Sequence, residues 1–380
     1  MTKKLYENDA YQFWFQTTVV SCVPSDGRFL VRLTETAFVP EGGGQKADSG
    51  TLDAIPVEDV YEKDGEVFHV LVSPVPVGKR ITGSIDGERR LRHMQHHTGE
   101  HILSGTLHRL FGAENVGFHL GHEVTLDTDI PLSGEQLKQA EEDANRAVRE
   151  DLGVEILHPS AAESESMAVR SKIGVREGIR VVRIPGVDTC VCCAPHVSRT
   201  GEVGMIKITD FLPYKGGTRI FIRCGRDAWR DYDAKQEILF RISRALSVPV
   251  MEADCGVERL MAEVVHLRGR VAETEEILRR VRLDAIPETR EGLCLFYEGL
   301  DARSLRKYAE EASARAAFAA VLTPDGNGGH RYALAGKNRD MRALSARLHA
   351  TLGGRGGGNA VLTQGAFPAG EEDIRNALFS

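Results

Sequence analysis

The sequence lacks any unbroken apolar run of the ~20 residues needed to span a bilayer as a helix. Its N-terminus, MTKKLYENDAYQFWFQ, has no apolar signal-peptide core. These absences exclude a helical membrane protein and predict a cytoplasmic one. Basic residues are not in excess, and the net charge is −7. A protein that coats nucleic acid indiscriminately is therefore excluded, although a local basic surface is not, because steering depends on where charge sits. Cysteine is scarce, with seven in 380 residues. Without secretion these are expected as thiols, not disulfides. The run Gly42-Gly43-Gly44 is followed by no Gly-Lys-Ser/Thr, so it is not a phosphate loop.

What is present is an ordinary soluble composition, 42% hydrophobic and 27% charged, sufficient for a sizeable core. The length predicts two or three domains. Residues 15 to 90 alternate β-branched and polar positions between turn signals such as Ser25-Asp26-Gly27 and Lys63-Asp64-Gly65, predicting a small closed or strongly curved sheet. From Leu91 to Phe111 the apolar spacing becomes helical, and Ser133-Gly134-Glu135-Gln136 is a capping-box signature that opens a helix to about residue 151. Strands are expected at Arg180–Ile184, Gly204–Phe211 and Thr218–Arg223. Val257, Leu260, Val264, Leu267, Val271, Thr274, Leu278 and Val281 recur in steps of three and four, a heptad seam. With the helix before Pro249 it predicts a helical hairpin over 226–286. From Gly292 strands and helices alternate, ending near the glycine loop 353–358. The fold class read from these patterns is α+β. It comprises a β-barrel-like domain over 1–90, a metal-binding α+β domain over 91–225, the helical arm, and a small α/β domain over 287–380.

Two pairs of ligand-type residues carry the chemistry. His97 and His101 are four apart on a predicted helix and so share a face. Cys192 and His196 form Cys-x-x-x-His in a predicted loop, and three of the seven cysteines, Cys190, Cys192 and Cys193, crowd into four residues, which core packing does not require. Three imidazoles and a thiolate make the tetrahedral set that zinc favours. Gly42, Gly43 and Gly44, flanked by Pro40, Glu41 and Gln45, predict a shaped loop whose backbone approaches a ligand. Arg355, inside the second glycine run, is a candidate phosphate contact. Arg268 and Arg270 are candidate RNA contacts on an otherwise solvated face.

Together Phe38 to Asp48, the His93–His101 segment, Val116 to Gly121, Cys192 to His196 and Tyr214 to Arg219 resemble the editing domain of alanyl-tRNA synthetase and the freestanding alanyl-tRNA editing proteins of the AlaX type, in the long form. The region from about residue 290, with its glycine loop, resembles the small domain of DHH-type phosphoesterases that also ends the synthetase. The resemblance implies a hydrolase that clears serine, with glycine as an open alternative, from mischarged alanine tRNA at a zinc centre held by His97, His101, Cys192 and His196. It places Gly42, Gly43, Gly44, Gln45 and Arg219 at the aminoacyl pocket and Thr36 where the family discriminates substrates. It also implies a chain that does not charge tRNA, since no aminoacylation core precedes residue 15. The heptad seam and the C-terminal domain are expected to serve either tRNA placement or formation of a homodimer. Where the family often has Gly-Gly-Thr between its last two ligands, this chain has Cys193-Ala194-Pro195, and Pro195 supplies no N–H. Gln45 is expected to hold the substrate and Glu100 to serve as base. Two other readings stand beside this one. His97-Thr98-Gly99-Glu100-His101 also fits the inverted zinc-peptidase motif His-x-x-Glu-His, and the metal could simply stabilise an RNA-binding module.

Overall fold

The computed structural model describes residues 1–160, 163, 167, 169–170 and 179–380. They form a mixed α+β protein of two compact units, Met1–Ile242 and Ser243–Ser380. No helix among the described residues is long and apolar enough to cross a membrane.

In the first unit, six strands (Trp14–Ser25, Arg28–Leu33, Glu66–Leu71, Ile55–Lys63, Gly50–Leu52 and Arg80–Ile85) pair in that order and close into a barrel. Alternation explains the closure. Phe15, Val19, Val31, Leu33, Val67, Leu71 and Ile81 point inward to one apolar core, while their neighbours face out. Helix α1 (Gly87–Phe111) leaves the last barrel strand. Asp86 caps it by accepting from the Arg89 N–H, and Gly112 ends it in the left-handed region. From His93 to Leu107 it is almost wholly buried, packed through Met94, Ile102, Leu103 and Leu107 against Leu126, Ile220 and Ile222 of an antiparallel sheet. That sheet runs Ile206–Tyr214, Gly217–Cys224, Val124–Thr128, Asn115–Leu120. Helix α2 (Gly134–Arg149) covers it with Leu137, Ala140, Ala144 and Val148, and both bonds of the expected capping box at Ser133 and Gln136 are made. A three-stranded sheet, Glu155–Leu157, Val181–Ile184 and Asp188–Val191, leads into the Cys192–His196 loop.

A buried ion pair ties barrel to helix. The Arg90 and Asp48 side chains are inaccessible to solvent and bonded to each other. Arg90 also donates to the carbonyls of Ala10 (2.9 Å) and Ala37 (2.6 Å), and Asp48 accepts from the Val39 N–H (2.7 Å). Both ends of the glycine loop are thereby rooted on α1.

Helix α3 (Gly225–Leu246) closes the first unit and enters the second, where helix α4 (Ala253–Asp284) follows. Beyond it lies a five-stranded sheet in the order Gly292–Phe296, Phe318–Pro324, His330–Ala335, Leu362–Phe367, Arg355–Gly358, parallel only at its first pair. Helices α5 (Ala302–Ala312), α6 (Met341–Leu352) and α7 (Glu371–Phe379) complete the unit. The expected glycine loop at 353–358 is in large part an edge strand, with Arg355 opposite Ala366. Glycine is required there by proximity. A Cβ on Gly356 would sit 2.4 Å from the Gln364 carbonyl oxygen and 2.5 Å from the Tyr332 hydroxyl.

Candidate metal centre and cavity

His97 and His101 project from one face of α1, and Cys192 and His196 from the loop after the strand Asp188–Val191. The ligand-type atoms of all four lie within 4.8 Å of one another. Cys192 Sγ is 3.5 Å from His97 Nε2 and 3.3 Å from His196 Nε2. A tetrahedral zinc site with bonds of about 2.3 Å to sulfur and 2.0 Å to nitrogen has edges of about 3.3–3.6 Å. The donor set therefore fits the ion. No carboxylate joins His97 and His101 in this group, unlike the set an inverted-motif peptidase requires. His96, although adjacent, is engaged elsewhere: its Nε2 accepts from the Cys224 N–H at 3.2 Å.

Each ligand histidine is held at its other ring nitrogen. His101 Nδ1 lies 2.9 Å from Asp188 Oδ2, His196 Nδ1 3.0 Å from Thr98 Oγ1, and His97 Nδ1 3.1 Å from Gln45 Oε1. Asp188 is braced in turn by Arg170 Nε at 2.7 Å. Such anchors fix ring orientation and leave Nε2 for a metal. The ligand loop is clamped by Arg180, whose guanidinium donates to the carbonyls of Cys192 (2.7 Å) and Ala194 (2.9 Å). These contacts do not require the glycines that the family often carries there.

The electrostatics separate the three clustered cysteines. Burial alone would raise the Cys192 thiol. Electrostatic interaction with the His97 and His196 rings, together with hydrogen bonds from His101 and His196, instead holds it well below the usual thiol range. Burial pushes Cys190 up to about 11 and raises Cys193 as well. Cys192 is therefore the thiolate of the three. Burial lowers His196 to about 3, keeping it a neutral ligand. For Asp188, burial raises the carboxyl, but hydrogen bonds from His101 and Arg170 outweigh it and the net shift is down.

A cavity of about 1500 Å³ opens on this cluster, its wall including Gly42, Gly43, Gln45, His97, Glu100, His101, Asn115, Phe118, Cys190 and Cys192. Gly42 to Gln45 is a two-residue turn closed by paired backbone bonds of 3.1 and 2.9 Å, with Gly43 at φ +59° and Gly44 at φ +82°. Both central residues in the left-handed region make it a type I′ turn, which selects glycine. The three glycines divide their work. Gly42 and Gly43 line the cavity with open space around them, whereas Gly44 is pressed on protein: its Cβ would lie 2.1 Å from the Phe118 carbonyl oxygen. Its own carbonyl accepts from the Leu120 N–H at 2.8 Å. Glu100 is 4% exposed, and its Oε1 accepts from Asn115 Nδ2 at 2.7 Å.

Other residues singled out by sequence lie elsewhere. Thr36 is fully buried in the barrel and is not part of the cavity wall; its hydroxyl accepts from the Phe38 N–H and donates to His69 Nε2 at 2.8 Å. Arg219 is also outside the wall, paired through two 2.7 Å bonds with Asp127 and lying over the Tyr214 ring. Arg268 and Arg270 are exposed on α4, and Arg355 on the edge strand. Sequence reasoning missed Asp188, Arg170, Thr98, Asn115 and Arg180. Thr98 sits inside the His-x-x-x-His segment, whereas Asp188, Arg170, Asn115 and Arg180 come from segments that carry no motif of their own.

The family described as "Threonyl and Alanyl tRNA synthetase second additional domain" matches residues 179–243, which include Cys192 and His196. Among curated proteins, the alanyl-tRNA editing protein AlaX-L of Pyrococcus horikoshii is 28% identical over 404 aligned positions, covering 98% of this chain and 96% of that protein. The alanyl-tRNA editing protein Aarsd1 of Mus musculus is 28% identical, covering 95% and 93%. Alanine–tRNA ligase of Pyrococcus abyssi is 31% identical over 96% of this chain but only 42% of the ligase. A solved C-Ala domain from Aquifex aeolicus alanyl-tRNA synthetase matches 25% of the chain at 19% identity with a TM-score of 0.22, a likeness too slight to establish that segment's fold. Along nearly its whole length the chain is thus similar to the alanyl-tRNA editing proteins AlaX-L and Aarsd1.

Proposed function

We propose that this protein hydrolyses the ester joining serine or glycine to mischarged alanine tRNA. The observation that carries the reading is that the glycine turn and the His/Cys cluster wall one cavity, with Gln45 touching both. The cavity's volume exceeds that of a single amino acid and suits an aminoacyl group with its terminal nucleoside.

His97, His101, Cys192 and His196 would hold zinc, as the donor set and spacing support. Bound there, zinc supplies positive charge that polarises nearby oxygen. Four protein donors fill a tetrahedral shell, which favours an orienting role over an open catalytic position. The chain's own groups then perform the remaining work. Gly42 and Gly43 leave room for the acyl group to lie close to backbone. Gln45 Nε2, buried in the wall, donates to the acyl oxygen. Glu100, steadied by Asn115, takes a proton from the attacking water. Hydroxide adds to the ester carbon, the bond to the ribose oxygen breaks, and the proton passes to that oxygen. Serine is distinguished from alanine by its hydroxyl, because a pocket polar group left unfilled by alanine is unfavourable.

The exposed seam of α4 supports a second element of the reading, pairing with another copy of the chain. The direct test of function is release of amino acid from alanine tRNA charged with serine, glycine or alanine. The reading expects release of serine and sparing of alanine, and the glycine-charged tRNA decides whether glycine is a second substrate. Equal release of all three, or of none, contradicts it.

A further inference from the structure

Three side chains anchor the three imidazoles, and they are not equivalent. Asp188 and Thr98 stand behind His101 and His196, outside the cavity wall. Gln45 alone both anchors a ligand and lines the cavity. Its Oε1 faces His97 Nδ1 at 3.1 Å, while its Nε2 is buried without a hydrogen-bond partner among the described residues. A buried amide donor left without an acceptor is unfavourable. The whole residue is 2% exposed, so open solvent does not complete it. A ligand oxygen reaching it from the cavity would complete it.

We infer that Gln45 relays the state of the metal centre to the substrate pocket through the tautomer of His97. This rests on reading the cavity as a deacylase site. With Nε2 given to a metal, the single proton of neutral His97 resides on Nδ1. Nδ1–H then needs an acceptor, and the Gln45 amide supplies Oε1. A carboxamide has one oxygen and one nitrogen on opposite prongs, so turning oxygen to His97 turns the NH2 group into the cavity. The pocket then presents a donor matched to the carbonyl oxygen of an aminoacyl ester. With the proton on Nε2 instead, Nδ1 is an acceptor, the amide reverses, and the cavity faces an oxygen that repels the ester carbonyl. A metal centre with no open position thus still governs binding of the reacting group. Gln45 is pinned for this by the type I′ turn and by the Gly44–Leu120 bond.

The test uses the full chain with Gln45→Glu and Gln45→Met. Glutamate keeps an acceptor for His97 but offers the cavity no donor. Methionine keeps neither and is similar in length. Zinc affinity is measured by competition with a chelating dye, and kcat and KM for serine release are measured at saturating zinc. The relay expects Gln45→Glu to hold zinc at least as tightly as wild type while kcat falls ~100-fold, the scale of losing one donor to a reacting oxygen. It expects Gln45→Met to lose ~10-fold or more in zinc affinity, the scale of losing a ligand's anchor, with a similar fall in kcat. A Gln45→Glu variant with wild-type kcat overturns the relay, as does equal weakening of zinc by both variants. The zinc affinities are read without any tRNA. A wild type that binds zinc and releases no amino acid therefore overturns the deacylase reading, separately from the anchor.

Discussion

At the scale of single residues, the site depends on positions where backbone or proton state leaves no choice. Gly42 and Gly44 look alike in sequence and differ in structure. Gly44→Ala places a methyl against the Phe118 carbonyl oxygen at φ +82°, whereas Gly42 has open space and no positive φ. The alanine change at 44 is expected to lower stability by about 2 kcal/mol or more and to abolish serine release, with Gly42→Ala within about 1 kcal/mol of wild type. Urea unfolding of the two variants decides it. His69 illustrates a proton-state constraint. Burial lowers it to about 4, and it sits between Thr36 and the Val31 carbonyl. Above pH 6.5 the ring is neutral in both folded and unfolded chains, so its contribution is complete. Between about 6.5 and 4 the unfolded chain binds a proton that the fold refuses, and stability falls by up to ~1.4 kcal/mol per pH unit. His69→Gln is expected to remove that share of the slope. Unfolding curves at pH 7, 6 and 5 with identical slopes for variant and wild type would contradict it. The clustering of His97, His101, Cys192 and His196 was readable from sequence because i, i+4 spacing and a compact Cys-x-x-x-His each place two donor-type side chains locally. The anchors were not, since Asp188 reaches His101 from 87 residues away and Gln45 reaches His97 from 52.

At the scale of elements, periodicity was informative where one face is buried and silent where none is. The capping box located α2 to within a residue or two, and barrel alternation marked the strands. Helix α1 is buried nearly all round, yet apolar spacing from Leu91 to Phe111 still marked it as a helix. The edge strand Arg355–Gly358 was illegible because a run of glycines signals a loop, and only the close approach of Tyr332 and Gln364 reveals why glycine is there. The α4 seam was legible as a pattern, but its partner was not. Val257, Leu260, Val264, Leu267, Val271, Leu278 and Val281 are 38–62% exposed, an apolar stripe of the kind that a second helix covers. Leu260→Glu combined with Leu267→Glu is expected to convert a dimer into a monomer by light scattering, with serine release from the monomer retained. An unchanged mass would remove α4 from the interface.

At the scale of the whole molecule, a chain of net charge −7 is expected to meet a polyanion through local contacts and not a general field. The barrel, glycine turn and histidine helix form one unit, rooted by Arg90 and Asp48, so pocket and metal centre stand or fall together. The most direct measurement of the central claim pairs zinc content with serine release for wild type and Cys192→Ala. One bound zinc and serine release in the wild type, both lost in the variant, is the predicted result. A Cys192→Ala protein with full zinc and full deacylation would contradict the account.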